Sequence, residues 1–94
     1  MRFAIVCTDK PNQAGTRVEH REAHFAHLDA YAEHIVEAGP MLAEDASHSV
    51  GSLLIVEFPD RASAEVFTNT DPFAQAGIFE SVVIRPYKKV IPKT

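Results

Sequence analysis

Apolar runs and amphipathic segments alternate along the chain, and their order predicts four strands and two main helices. Strands are predicted over residues 2–8, 40–46, 52–58 and 80–88. The order strand-helix-strand-strand-helix-strand in 94 residues predicts an α+β, ferredoxin-like βαββαβ fold. In that fold a four-stranded antiparallel sheet carries two helices on one face.

The first helix is predicted from Thr16 to about Ala38. A capping box formed by Thr16 and Glu19 marks its start, and Gly39 followed by Pro40 marks its end. An apolar stripe at helical spacing predicts the buried side of this helix. The stripe consists of Val18, Phe25, Leu28, Ala32 and Ile35.

A second stripe on the same helix carries four of the five histidines of the chain, His20, His24, His27 and His34, with Arg21 among them. The spacing puts these side chains on one side of the helix, next to the apolar stripe. Three histidines at i, i+4 and i+7 can converge on a metal ion. Zinc sites usually recruit a ligand from another element, however, so no metal site is expected.

Two capping signals follow the third predicted strand. Asp60 is placed to cap a second helix over residues 61–69. Asp71, Pro72 and Gly77 then have the order of an N-cap, a first helical residue and a terminator, which predicts a short helical turn. The capping role alone explains Asp71, and the sequence leaves open whether its carboxylate does anything more.

The predicted topology brings polar residues from four segments to one end of the domain. They are Asp9, Arg21, His24, Ser52 and Asp71. A histidine hydrogen-bonded to a carboxylate is the minimum apparatus for proton transfer near neutral pH. We therefore expect His24 and Asp71 to be catalytic. Arg21, Ser52 and Asp9 are the candidate substrate-binding residues, while His34 lies at the opposite end.

Composition narrows the range of functions. The chain is 46% hydrophobic and 23% charged, which is typical of one globular domain over residues 1–94. A net charge of −4 argues against a nucleic-acid partner. A single cysteine, Cys7, and the lack of any membrane-length apolar run favour the cytoplasm. No phosphate loop or dinucleotide fingerprint is present, so no cofactor is expected.

One face of the predicted sheet has no helix to cover it. The strands at 2–8 and 52–58 are apolar on both alternating sides, which is typical of strands buried on both faces. An apolar face left open to water marks an interaction site. We therefore expect a homodimer that forms through the uncovered sheet face.

Short pieces of the chain resemble the YciI-like (YCII-related) family. They are Thr8-Asp9-Lys10, Arg21-Glu-Ala-His24, Ala38-Gly39-Pro40, Gly51-Ser52, Asp71-Pro72-Phe73 and Arg85-Pro86-Tyr87. The resemblance implies a dimeric α/β-barrel and an active site built on His24 and Asp71. One branch of this family is associated with cofactor-free dehydrochlorination of a chlorinated hydroxyhydroquinone. Phe73 stands where the family often has tyrosine, so no hydroxyl is available there.

These observations predict a cofactor-free enzyme of the lyase or isomerase type. It would use His24 and Asp71 for acid/base chemistry on a small oxygenated cyclic or aromatic metabolite. The alternative is a non-enzymatic, dimeric module that binds a small molecule or acts as an accessory protein. Geometry separates the two, because the enzyme requires a His24 ring nitrogen within about 3 Å of a carboxylate and facing a cavity.

Overall fold

The computed structural model describes residues 1–93. It contains four strands, three helices and a 3-10 turn at Ala32–His34 within that range. The elements are β1 (Arg2–Asp9), α1 (Ala14–Ala30), β2 (Ile35–Leu42), β3 (Ser49–Glu57), α2 (Arg61–Asn69), α3 (Pro72–Gln75) and β4 (Phe79–Pro86). No helix among these residues is long and apolar enough to cross a membrane.

The four strands form one antiparallel sheet in the order β2-β3-β1-β4. This order confirms the predicted ferredoxin-like arrangement. In the register of β1 with β3, Ile5 pairs with Leu54 and Cys7 pairs with Ser52. Because opposite residues share a face of the sheet, Ser52 lies on the same side as the buried residues of β1.

The hydrophobic core lies between this side of the sheet and the helices. Along β1 every second residue is fully buried, and α2 supplies the facing side chains. The largest fully buried side chains are those of Phe3, Phe67, Ile5, Ile78 and Val56. At the start of α2 the Asp60 carboxylate accepts a hydrogen bond from the Ser63 amide, as the capping signal predicts. This bond lowers the pKa of Asp60.

Helix α1 differs from its prediction at both ends. It begins at Ala14 with Gln13 as N-cap and no side-chain capping bond, so the capping box of Thr16 and Glu19 does not form. It ends at Ala30, eight residues before the predicted end at Ala38.

The segment that follows α1 joins the sheet instead. Ile35 pairs with Val56, and β2 continues through Gly39 and Pro40. Ile35 and Val36 are β-branched residues that favour a strand over a helix. Pro40 is tolerated because β2 is an edge strand. The pair Gly39-Pro40 is therefore not a helix terminator.

The opposite side of the sheet is uncovered in the single chain, and its centre is apolar. Ala4 and Val6 of β1 lie there, with Leu53 and Ile55 of β3 and Val83 of β4 opposite them. Leu53 and Val83 are 39% and 44% exposed. The uncovered sheet face is thus a property of the fold, while the homodimer stays a prediction.

Gly51 fills a position in β3 that no larger residue fits. A Cβ at this position would contact the backbone oxygen of Cys7 and lie 2.6 Å from the Cε atom of Met41. We expect Gly51→Ala to lower the free energy of unfolding by about 1–3 kcal/mol, because the neighbours must shift. Gly15→Ala is the control, since a Cβ there meets nothing within 4 Å. Urea denaturation measures both, and an unchanged stability of Gly51→Ala would contradict the packing described.

Candidate active site

One face of α1 carries polar residues that are turned toward the sheet. Arg17, Arg21, His24 and Leu28 follow one another at spacings of four, three and four residues, so they share this face. Arg17 and His24 are only 6% and 8% exposed. Charged and ionisable side chains are seldom buried without partners, so each of the two requires a specific polar contact.

A cavity of about 450 Å³ lies between α1 and strands β2 and β3. Its walls are mainly apolar, with a few polar groups from α1 and β3. It is lined by Arg17, Arg21, His24, Phe25, Leu28, Ala38, Gly39, Pro40, Ser49, Ser52, Leu54 and Phe73. Its size and mixed lining are typical of a small-molecule site.

His24 contacts the carboxylate of Asp71 through one ring nitrogen. The Nδ1 atom lies 2.8 Å from Oδ1 and 3.0 Å from Oδ2 of Asp71. Both side chains are buried. An ionised carboxylate only accepts hydrogen bonds, so Nδ1 carries a proton and donates a hydrogen bond to Asp71.

The other ring nitrogen of His24, Nε2, makes no hydrogen bond within the described part of the chain. Every buried side-chain nitrogen or oxygen atom among these residues has a hydrogen-bond partner. Nε2 has none, so it is accessible to solvent. Nε2 is thus the accessible ring nitrogen of a residue that lines the cavity. In the neutral ring this nitrogen is a proton acceptor.

Helix α3 holds Asp71 in place. Asp71 is its N-cap, Pro72 is its first residue, and the Asp71 Oδ1 atom accepts a hydrogen bond of 2.9 Å from the Phe73 amide. Gly77, with φ of 74°, follows the helix where left-handed backbone is required. The same carboxylate thus caps α3 and orients His24, so the two roles that the sequence left open coexist.

Phe73 fixes the plane of the imidazole. Its ring stacks on the His24 ring with centroids 3.9 Å apart and an angle of 7° between the planes. The Arg17 guanidinium carbon lies 4.9 Å from the centre of the same ring. His24 and Arg17 therefore both pack against Phe73.

A second buried ion pair joins α1 to the ends of β1 and β3. Arg17 donates from Nε to Asp9 Oδ2 at 2.7 Å and from Nη2 to Asp9 Oδ1 at 2.9 Å. Its Nη2 atom also donates to Ser52 Oγ at 2.9 Å. The Asp9 and Arg17 side chains are 4% and 7% exposed.

The cysteine beneath these groups stays neutral. Burial raises the pKa of the Cys7 thiol to about 12, and the nearby carboxylate of Asp71 acts in the same direction. Cys7 therefore adds no charge to the site and is no candidate nucleophile at neutral pH.

All five predicted site residues lie at or next to this cavity, but the buried contacts among them include an arginine that the prediction did not name. Arg21 lines the cavity yet is exposed and makes no hydrogen bond or ion pair within residues 1–93. Arg17 makes the contacts instead, and Asp9 lies behind Arg17 and not at the cavity wall. The i, i+4, i+7 spacing of Arg17, Arg21 and His24 was the signal available in the sequence.

The remaining histidines of α1 and the adjoining turn have separate surroundings. His27 Nε2 contacts the Phe67 carbonyl oxygen at 2.9 Å, and His34 Nδ1 contacts that of Glu57 at 2.8 Å. His20 is half-buried and has no such partner among the described residues. No group of three potential metal ligands forms within this part of the chain.

Comparison with known proteins assigns the chain to a family. The sequence pattern of the YCII-related domain matches residues 1–88. The chain belongs to the YCII-related family. The protein YciI of Escherichia coli is 34% identical over 97 residues, covering 96% of this chain and 99% of its own. An uncharacterised protein of Haemophilus influenzae is 33% identical over the same shares.

A solved structure of a protein 30% identical to this chain is that of an enzyme with a named activity. It is the 5-chloro-2-hydroxyhydroquinone dehydrochlorinase TftG of Burkholderia phenoliruptrix, in complex with 2,5-dihydroxybenzoquinone. It is 30% identical, with a TM-score of 0.86 and coverage of 94% of each chain. This YCII-related domain therefore shares its fold over nearly its whole length with an enzyme that was crystallised with a small oxygenated ring.

Proposed function

We propose that this YCII-related domain is a cofactor-free enzyme of the lyase or isomerase type. The observation that carries the proposal is the contact of His24 Nδ1 with Asp71, which leaves Nε2 free at the cavity. A buried imidazole with one nitrogen held by a carboxylate and the other open to a ligand is arranged for general acid/base catalysis.

The proposed reaction begins when Nε2 of His24 takes a proton from an acidic C–H or O–H group of the substrate. Asp71 stabilises the imidazolium that forms, because its carboxylate is already hydrogen-bonded to Nδ1. The electron pair left on the substrate then expels a leaving group in a lyase, or shifts within the molecule in an isomerase. In the second case His24 returns the proton to a different atom.

The remaining cavity residues suit a small oxygenated ring. Phe25, Leu28, Pro40 and Leu54 supply apolar walls, on which a cyclic or aromatic skeleton packs. Ser52 and Arg21, which also line the cavity, supply donors for an oxygen that becomes negative when the proton leaves. Asp9 assists by holding Arg17.

The relative TftG supports this substrate class. Its named substrate is a chlorinated hydroxyhydroquinone, and its bound molecule is a dihydroxybenzoquinone. Both are small oxygenated rings, which agrees with the walls described above. Phe73 presents no hydroxyl at the wall of this cavity.

The central test compares two variants, one that removes His24 and one that changes its partner Asp71. We expect His24→Ala to lose about 10²- to 10⁴-fold in kcat/KM, because the proton acceptor is gone. Asp71→Asn should also lose at least about tenfold, because an amide does not stabilise the imidazolium. Asparagine caps helices as well as aspartate does, so this variant preserves α3. Turnover of 5-chloro-2-hydroxyhydroquinone, other quinols and lactones is the measurement.

The control is His20→Ala, which changes a histidine of α1 that does not line the cavity. It should keep the activity of the parent protein. Full activity in both His24→Ala and Asp71→Asn would contradict the proposal. Tight binding of these compounds without turnover would instead support the alternative, a module that binds small molecules.

We also propose that the protein is a homodimer formed through the uncovered sheet face. Leu53 lies on this face opposite Val6, so Leu53→Asp places a charge there without touching the core. It should weaken association at least about tenfold in Kd. Val66→Asp is the control, because Val66 is 56% exposed on α2. Sedimentation velocity measures both, and a monomeric parent protein, or Leu53→Asp dimers as tight as the parent, would contradict the proposal.

A further inference from the structure

Arg17 uses only part of its guanidinium for contacts within the protein. The Nε and Nη2 atoms bond to Asp9 and Ser52, whereas Nη1 has no partner among the described residues. Every buried side-chain nitrogen or oxygen atom in this part of the chain has a hydrogen-bond partner. Nη1 has none, so it is accessible to solvent. Nη1 is thus the accessible corner of a guanidinium whose residue lines the cavity.

Ser52 supplies a second donor beside this corner. Its oxygen accepts a hydrogen bond from Arg17 Nη2, which leaves its own O–H free to donate. Ser52 also lines the cavity and is only 5% exposed. A hydroxyl whose oxygen accepts from a cation is a stronger donor, because hydrogen bonds in a chain polarise one another.

Both donors are rigidly held before a ligand arrives. The Asp9 carboxylate accepts two parallel hydrogen bonds from the Arg17 guanidinium, a geometry that lysine does not reproduce. Phe73 lies against the guanidinium as well. Binding an anion here therefore costs little loss of side-chain freedom. Arg21 differs, because it is exposed and no partner within residues 1–93 holds it.

We propose that Arg17 and Ser52 form an anion-binding pair that holds a carboxylate, enolate or phenolate oxygen of a planar ligand. Arg17, and not Arg21, is the principal cation of the cavity. This inference rests on the proposed function in treating the cavity as a ligand site. Arg17, Ser52 and His24 line the same cavity, so one bound ligand can present its anionic oxygen to the pair and its acidic hydrogen to His24. The substrate class is therefore a ring that carries both an acidic hydrogen and an oxygen substituent.

The test compares benzoate with benzamide, two planar molecules of similar shape that differ in charge. We expect the parent protein to bind benzoate about 10- to 100-fold more tightly, as a charge-assisted hydrogen bond predicts. Isothermal titration calorimetry at fixed ionic strength measures both affinities. Equal affinities, or no binding of benzoate, would overturn the inference.

Three variants identify the residue that causes the preference for benzoate over benzamide. Arg17→Gln combined with Asp9→Asn should abolish it, and the second change avoids leaving a buried carboxylate unpaired. Ser52→Ala should reduce it. Arg21→Gln should lower it by a factor of only about two or three, because an exposed charge is screened by solvent. Loss of the preference in Arg21→Gln, together with its survival in the double variant, would overturn the assignment.

A fourth variant separates this inference from the proposed function. His24→Ala removes the proposed base but leaves Arg17 and Ser52 intact. It should keep the preference for benzoate while it loses turnover. If the parent protein prefers benzoate but converts no substrate, the proposed enzyme is refuted and the anion-binding pair stands. If it converts substrate but does not prefer benzoate over benzamide, the anion-binding pair is refuted and the proposed enzyme stands.

Discussion

The hydrogen bond between Asp71 and His24 is the interaction on which the candidate site depends. It joins the middle of α1 to the start of α3, two elements that are far apart in the sequence. Asp71 can make this bond because the α3 cap fixes its carboxylate, and His24 can make it because Phe73 fixes its ring. The orientation of the imidazole, the exposure of Nε2 and the shape of the cavity wall all follow from these contacts.

A domain of this size buries such groups at a cost. Desolvating an acid and its partner offsets much of their attraction, so buried ion pairs are weak evidence for stability. Here two such pairs, Arg17 with Asp9 and His24 with Asp71, lie close to one cavity. Their placement is better explained by the chemistry of the cavity, where a fixed cation and a fixed imidazole hold their geometry before a ligand binds.

Much of the fold was predictable from the sequence, because it follows from patterns that are local. Apolar runs predicted β1, β3 and β4, whereas β2 lies over Ile35–Leu42 and not over the predicted residues 40–46. Asp60 and Asp71 predicted the starts of α2 and α3. Chain direction alone then predicted that His24 and Asp71 meet at one end. The end of α1 was not predictable in this way. Gly39-Pro40 suits a helix terminator as well as an edge strand, and the pairing of Ile35 with Val56 decides between them. Arg17 was missed because the expected capping box put it at the first helical position, whereas α1 begins three residues earlier, at Ala14.

The protonation of the His24 ring tests the account most directly, and NMR measures it through the ¹⁵N shifts of the two ring nitrogens. At a pH where the ring is neutral, we expect Nδ1 to carry the proton and Nε2 to be unprotonated. His24→Gln assigns the signals, and Asp71→Asn should shift the balance toward a proton on Nε2. A neutral His24 that carries its proton on Nε2 in the parent protein would contradict the account, because no proton acceptor would then face the cavity.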